Sequence, residues 1–112
     1  KAKYDELVSK TMQVAADRVY SQAYNFFQSG NYQQALEKYK KIPEYMENYS
    51  KMDIVLYYIG KSYLELKDNE NARIAFQEVI ERFPNSEYAR YSENRLSGLT
   101  ASQWELTVKY LK

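Results

Sequence analysis

The feature that most restricts how this chain can fold is a register, in which unlike residues recur at one constant separation of 37 positions. Ala23 answers to Gly60, Phe26 to Tyr63, Ala35 to Ala72 and Tyr39 to Phe76. Four such pairs at a single offset define a repeat, so the chain must stack copies of one supersecondary unit. In the second copy, Leu56, Ile59, Gly60 and Tyr63 share one face of a helix. Ala72, Ala75, Phe76, Val79, Ile80 and Phe83 repeat that pattern on a following helix, which Pro84 closes.

The remaining stretches follow from this unit. Residues 1–29 contain neither Gly nor Pro, and Val8, Met12, Ala15, Val19, Ala23 and Phe26 recur at threes and fours. That spacing predicts one long helix, or two nearly collinear ones. Gly30 sits where a left-handed residue closes a helix, and Asn31 with Gln34 reads as a capping box for the next. The next helix, Tyr32 to about Ile42, carries Ala35, Leu36, Tyr39 and Ile42 on one face. Pro43 is expected to end it early, leaving 44–51 as a linker or an early turn of the next helix. Ser86 is expected to cap a third unit starting at Tyr88, with Leu96 and Ser97 in the slots of Ile59 and Gly60. Gly98 is expected to break that helix and Thr100 or Ser102 to cap a last one. Its face would be Ala101, Trp104, Val108 and Leu111, with Trp104 as a lid over the second repeat. The expected organisation is one domain over 1–112: a first repeat over about 16–49, a second over about 53–86, and a partial repeat with a capping helix over about 87–112. The fold class is all-α, helical hairpins in a short right-handed solenoid.

Composition removes most chemistries. A chain of 112 residues is long enough for one core, burying roughly 60–70% of its unfolded surface. Charged residues make up 28% and the net charge is +1, so no single-sign field favours nucleic acid or acidic lipid. With no Cys and no His, the usual zinc, thiol and imidazole sites are absent. Asp68 to Asn71 has the look of a calcium loop, but Arg73 stands where its turn glycine is required, and a helix cap is the better reading. Lys38, Lys40 and Lys41 alternate with Glu37 and Glu44 as a solvated helix face. No glycine-rich phosphate loop is present. No catalytic residue, metal ligand or cofactor is therefore expected, and the chain reads as non-enzymatic. The longest apolar run, Ile54 to Ile59, is far shorter than the roughly 20 residues of a membrane helix. The chain starts at Lys1 without Met or an apolar leader, from which a targeting segment left off upstream is expected.

The residues at Leu56, Ile59, Gly60, Tyr63, Ala72, Phe76 and Pro84 resemble the tetratricopeptide repeat (TPR) family. Two segments are similar to a narrower group, the bacterial envelope lipoproteins typified by BamD and the periplasmic TPR proteins typified by CpoB. These are Gly30-Asn31-Tyr32-Gln33-Gln34-Ala35, and the run from Phe76 through Pro84 to Ser86 followed by Tyr88-Ala89. That resemblance implies a lipid-anchored component at the periplasmic face of the outer membrane, scaffolding β-barrel assembly (the BAM complex) through protein contacts. Members of the BamD type carry more repeats than this chain, and the cysteine that would bear the lipid is not in it. The alternative is a TPR adaptor of the cytosol or periplasm, serving cell division or secretion and binding peptides without a membrane link.

In such stacks the first helix of each pair lines the concave face. The positions that project there are Tyr20, Tyr24 and Phe27, then Tyr57, Tyr58, Lys61 and Leu64, then Tyr91, Asn94 and Arg95. Tyrosine combines rigid apolar area with a hydroxyl, which suits an extended peptide or a partner helix. The competing reading is that several of these rings only pack between repeats. Some TPR adaptors grip a C-terminal carboxylate with Lys, Asn, Asn, Lys and Arg. Here the matching residues are Tyr20, Tyr24, Tyr58, Tyr91 and Arg95, which disfavours that mode. The expected partner is a protein or peptide, with no nucleic acid.

Overall fold

The computed structural model describes the backbone over residues 2–111 and side chains over residues 3–99. Five helices follow in order: α1 (Ala2–Gln28), α2 (Tyr32–Tyr45), α3 (Met52–Glu65), α4 (Asn69–Arg82) and α5 (Glu87–Leu111). The register appears directly in these bounds. α2 and α4 are both 14 residues long and start 37 positions apart, and the 14 residues of α3 correspond to the last 14 of α1. The architecture is an all-α, TPR-like helical repeat solenoid. Ring contacts join α1 to α3 and α3 to α5, so these three helices share one layer, and α2 and α4 form the other.

Both hairpin turns close in the same way. Gly30 takes φ 81°, with Asn31 N donating to the Phe26 carbonyl at 2.8 Å and Gly30 N to Phe27 at 3.1 Å. This is the Schellman arrangement, which satisfies carbonyls left over at the end of α1. Lys67 occupies the matching position with φ 66°, and Asp68 N and Lys67 N donate to Tyr63 and Leu64. At the start of α4, Asp68 accepts from Asn71 N at 3.2 Å and from Asn71 Nδ2 at 2.7 Å. This is the helix cap expected in place of a calcium loop.

Three local expectations are corrected. Asn31 stands at the N-cap of α2 but makes no side-chain cap bond, so the Asn31–Gln34 capping box does not form; the first turn is held by Ala35 N donating to the Asn31 carbonyl at 2.9 Å. Pro43 does not end α2, which continues to Tyr45 with Met46 N bonded to the Ile42 carbonyl at 3.0 Å. In a last turn a proline forfeits one hydrogen bond, and the turn survives it. Gly98 does not break the final helix: α5 runs through it, and no separate capping helix begins at Thr100 or Ser102. A glycine inside a helix costs about 1 kcal/mol against alanine, too little to end 25 continuous residues. The side chains of Ala101, Trp104, Val108 and Leu111, and with them the lid assigned to Trp104, lie outside the described residues.

The core runs between the two layers. Ala16, Val19, Ala23, Ala35, Leu36, Tyr39 and Ile42 seal the first hairpin, and Met52, Val55, Leu56, Ile59, Ala72, Phe76 and Val79 seal the second. Gly60 is required by contact: a Cβ there would lie 2.6 Å from Phe76 Cε1, closer than packed carbons tolerate. A polar tie then fastens each linker to its own first helix. The Tyr49 hydroxyl donates to Asp17, and the Ser86 hydroxyl donates to Asp53 at 2.6 Å while accepting from Tyr88 N at 3.0 Å, the expected cap of α5. Tyr49 and Ser86 are themselves 37 positions apart.

The solenoid is elongated, 67 × 29 × 19 Å with a radius of gyration of 16.6 Å. A compact chain of this length would measure about 13 Å. Much of the excess comes from α1, whose first half reaches past α2. Every described residue from Lys3 to Val14 is exposed, Leu7 at 64%. Val8 and Met12 thus extend the periodic stripe beyond the helix that covers the rest of it.

Candidate aromatic binding face

Helical spacing and the repeat register place the face residues together. Tyr20, Tyr24 and Phe27 follow at four and three on α1, and the repeat carries the same side of the helix to Tyr57, Tyr58 and Lys61 on α3. Helix α5 contributes Tyr91, Asn94 and Arg95. These rings form one connected sheet of contacts, mostly edge to face. Tyr58 lies 5.1 Å from Phe27 and 5.9 Å from Tyr24, across the α1–α3 seam. Tyr57 continues the sheet to Tyr58 at 5.7 Å and to Tyr91 at 6.0 Å, across the α3–α5 seam. Between α3 and α5 a hollow of about 250 Å³ is lined by Tyr57, Tyr91, Asn94 and Arg95.

The face residues divide by depth. Tyr24 and Tyr91 are exposed at 38% and 37%, whereas Tyr57 keeps only 7% of its surface and also packs on Phe76. Tyr57 is therefore the floor of the face and part of the core beneath it. Tyr20 sits apart from the hollow, against Tyr39 at 6.1 Å and Tyr49 at 6.3 Å. Leu64 is half-buried against the core.

Two members escape the projection from sequence. Tyr88 packs 5.3 Å from Tyr57 and 5.4 Å from Tyr91, and Lys51 holds its ammonium 4.9 Å from the Tyr20 ring centroid. The signal was present, because Tyr88 precedes Tyr91 by one helical turn and stands 37 positions after Lys51.

The electrostatics of the face come from its cations. Lys61 Nζ lies 5.3 Å from Phe27, 5.6 Å from Tyr58 and 5.8 Å from Tyr57, a cation held over three rings. Arg95 Nε donates to the Tyr57 hydroxyl at 3.4 Å. Five of the clustered tyrosines, Tyr20, Tyr39, Tyr49, Tyr58 and Tyr88, hold their protons above the ordinary tyrosine range. Burial first, and then the neighbouring Tyr88, Tyr58 and Tyr24 hydroxyls and Asp53, push Tyr20 up to about 12. Burial likewise raises Tyr39, Tyr58 and Tyr88, and burial together with the bond to Asp17 raises Tyr49. Such a surface offers apolar area, neutral hydroxyls and fixed positive charge. Among the described residues, no cluster of acidic side chains could hold a metal ion, and no helix is long and apolar enough to cross a membrane.

Comparison with known proteins meets this geometry at its centre. No curated protein matches the chain. Residues 55–86 match the tetratricopeptide repeat family, a span that covers nearly all of the α3–α4 hairpin and its closing Pro84. Repeats of that family build protein-interaction scaffolds, and the 37-residue register carries the same hairpin geometry from the matched segment to α1 and α2.

Proposed function

We propose that this protein is a non-enzymatic scaffold that captures an extended segment of a partner protein across the face made by α1, α3 and α5. One observation carries the reading: five aromatic rings from three helices, Tyr24, Phe27, Tyr57, Tyr58 and Tyr91, meet in a continuous surface that borders a hollow of about 250 Å³. Rigid rings present large contact area at little entropic cost, and their hydroxyls can bond a peptide backbone.

Selection from a random peptide library tests it. The wild type is expected to retain a set of peptides that the Tyr24→Ala, Tyr91→Ala double variant releases, with the far-ultraviolet circular dichroism of the two proteins unchanged. Tyr57 is the wrong residue for this purpose, because truncating it would open the core over Phe76. Equal retention by both proteins would remove the face from the binding surface.

A narrower reading is supported by the likeness of the Phe76–Ser86 run and of Tyr88-Ala89 to envelope repeats. In that reading the protein resides at the periplasmic face of the outer membrane and scaffolds β-barrel assembly, as BamD does. A photo-crosslinking residue in place of Tyr91, used in the source cell, separates the possibilities. Crosslinks to outer-membrane assembly proteins support the envelope role, and crosslinks to cytosolic proteins support the general adaptor.

A further inference from the structure

The ion pairs and the cations of this molecule lie on different surfaces. Among the described residues the salt bridges are Glu6–Lys10 on the projecting half of α1, Glu70–Arg73 and Glu78–Arg82 on α4. None lies on the aromatic face. There, Lys51, Lys61 and Arg95 each rest against a tyrosine, and none is paired with a carboxylate among the described residues. Toward the lower end of the face, the Asp17 and Asp53 carboxylates accept from the Tyr49 and Ser86 hydroxyls. Cations without an ion-pair partner among the described residues therefore line the aromatic surface, at Lys51, Lys61 and Arg95.

From this charge pattern we infer that the face selects acidic polypeptide, an extended segment whose internal Asp or Glu side chains meet Lys61 with Arg95 at one end and Lys51 at the other. The inference rests on the peptide-binding reading above and specifies its ligand. Spacing makes it more definite. Lys61 and Arg95 converge on Tyr57, while Lys51 precedes Lys61 by ten positions, about 15 Å along the helix axis. An extended peptide covers that distance in about four or five residues, so two acidic positions separated by that number satisfy both ends. The ligand differs from a terminal carboxylate, for which the five-residue clamp is absent here. Nucleic acid fits less well: the rings are packed edge to face against each other, leaving few open faces for base stacking.

The test uses the whole chain and a library of short random peptides, with retained sequences sorted by charge. Retained peptides are expected to be enriched in Asp and Glu, with pairs about four or five positions apart. Binding should weaken as salt is raised, and the Lys61→Gln, Arg95→Gln double variant should lose about tenfold in affinity for them. As a second variant, Arg95→Glu should shift the retained pool toward basic peptides, which a merely damaged fold would not do. Retained peptides without acidic enrichment would overturn this inference and leave the peptide-binding face intact. A library from which the wild type retains nothing would overturn both. Displacement of acidic peptides by a single-stranded oligonucleotide at lower concentration would also overturn it, in favour of nucleic acid.

Discussion

Tyr39 carries a fully buried hydroxyl with no hydrogen-bond partner among the described residues, at the position where the second repeat has Phe76. A buried hydroxyl without a partner costs on the order of 1–3 kcal/mol, so the ring accounts for the stability of that position and the oxygen works against it. In urea denaturation, Tyr39→Phe is expected to leave the unfolding free energy unchanged or raise it by up to about 1 kcal/mol. Tyr39→Ala should cost about 3–5 kcal/mol. A clear loss in the phenylalanine variant would mean that the hydroxyl is bonded. Gly60 poses the opposite case, since any side chain meets the buried Phe76 ring. Gly60→Ala should destabilise by about 1–3 kcal/mol, despite alanine's better helix propensity. Both positions were legible in the sequence as core, because packing at a repeat contact depends on residue size and the register exposes size directly. Whether a face tyrosine is core or surface was not legible. Tyr57 and Tyr91 look alike in sequence, and it is the packing of the first on Phe76 that sets them apart, 7% exposed against 37%.

At the scale of helices, the ends set by backbone conformation were readable and the ends set by context were not. Gly30 and Asp68 announced a turn and a cap because few residues suit those positions. Pro43 and Gly98 carry the same kind of signal, yet α2 and α5 pass through them. Their cost of about 1 to 3 kcal/mol is a local term that neighbouring turns can absorb. The tie from Ser86 to Asp53 is an element-scale device, joining the start of α5 to α3. Ser86→Ala is expected to cost about 0.5–2 kcal/mol and to speed amide exchange at Tyr88, the residue whose N–H it leaves unbonded. Unchanged exchange there would show that the cap contributes nothing. The projecting half of α1 makes a contrasting case. Because its residues from Lys3 to Val14 are exposed, a chain shortened to begin at Gln13 should unfold at the same urea concentration as the original.

For the whole molecule, the connected tyrosines make stability depend on alkaline pH. A tyrosine is neutral when protonated, and the buried rings hold their protons longer in the folded chain than in the unfolded one. Tyr20 titrates at about 12 folded against 10.0 unfolded, so below pH 10.0 its contribution is complete. As pH rises from 10.0 toward about 12, the unfolded chain has released a proton that the folded chain keeps, and stability falls. Urea denaturation at neutral and alkaline pH should show that decline, together with tyrosinate absorbance that appears as the helices melt. Tyrosinate appearing at its ordinary pH while the chain remains folded would mean that the rings are solvated.

The central claim is that two helical hairpins stack so that α1, α3 and α5 share one aromatic face, and nuclear Overhauser contacts between ring protons test it most directly. The predicted result is cross-peaks from Tyr58 to Tyr24 and Phe27, and from Tyr57 to Tyr88 and Tyr91, whose ring centroids lie between 5.1 and 6.0 Å apart. A spectrum with contacts only inside each hairpin, and none linking α3 to α1 or α5, would contradict it.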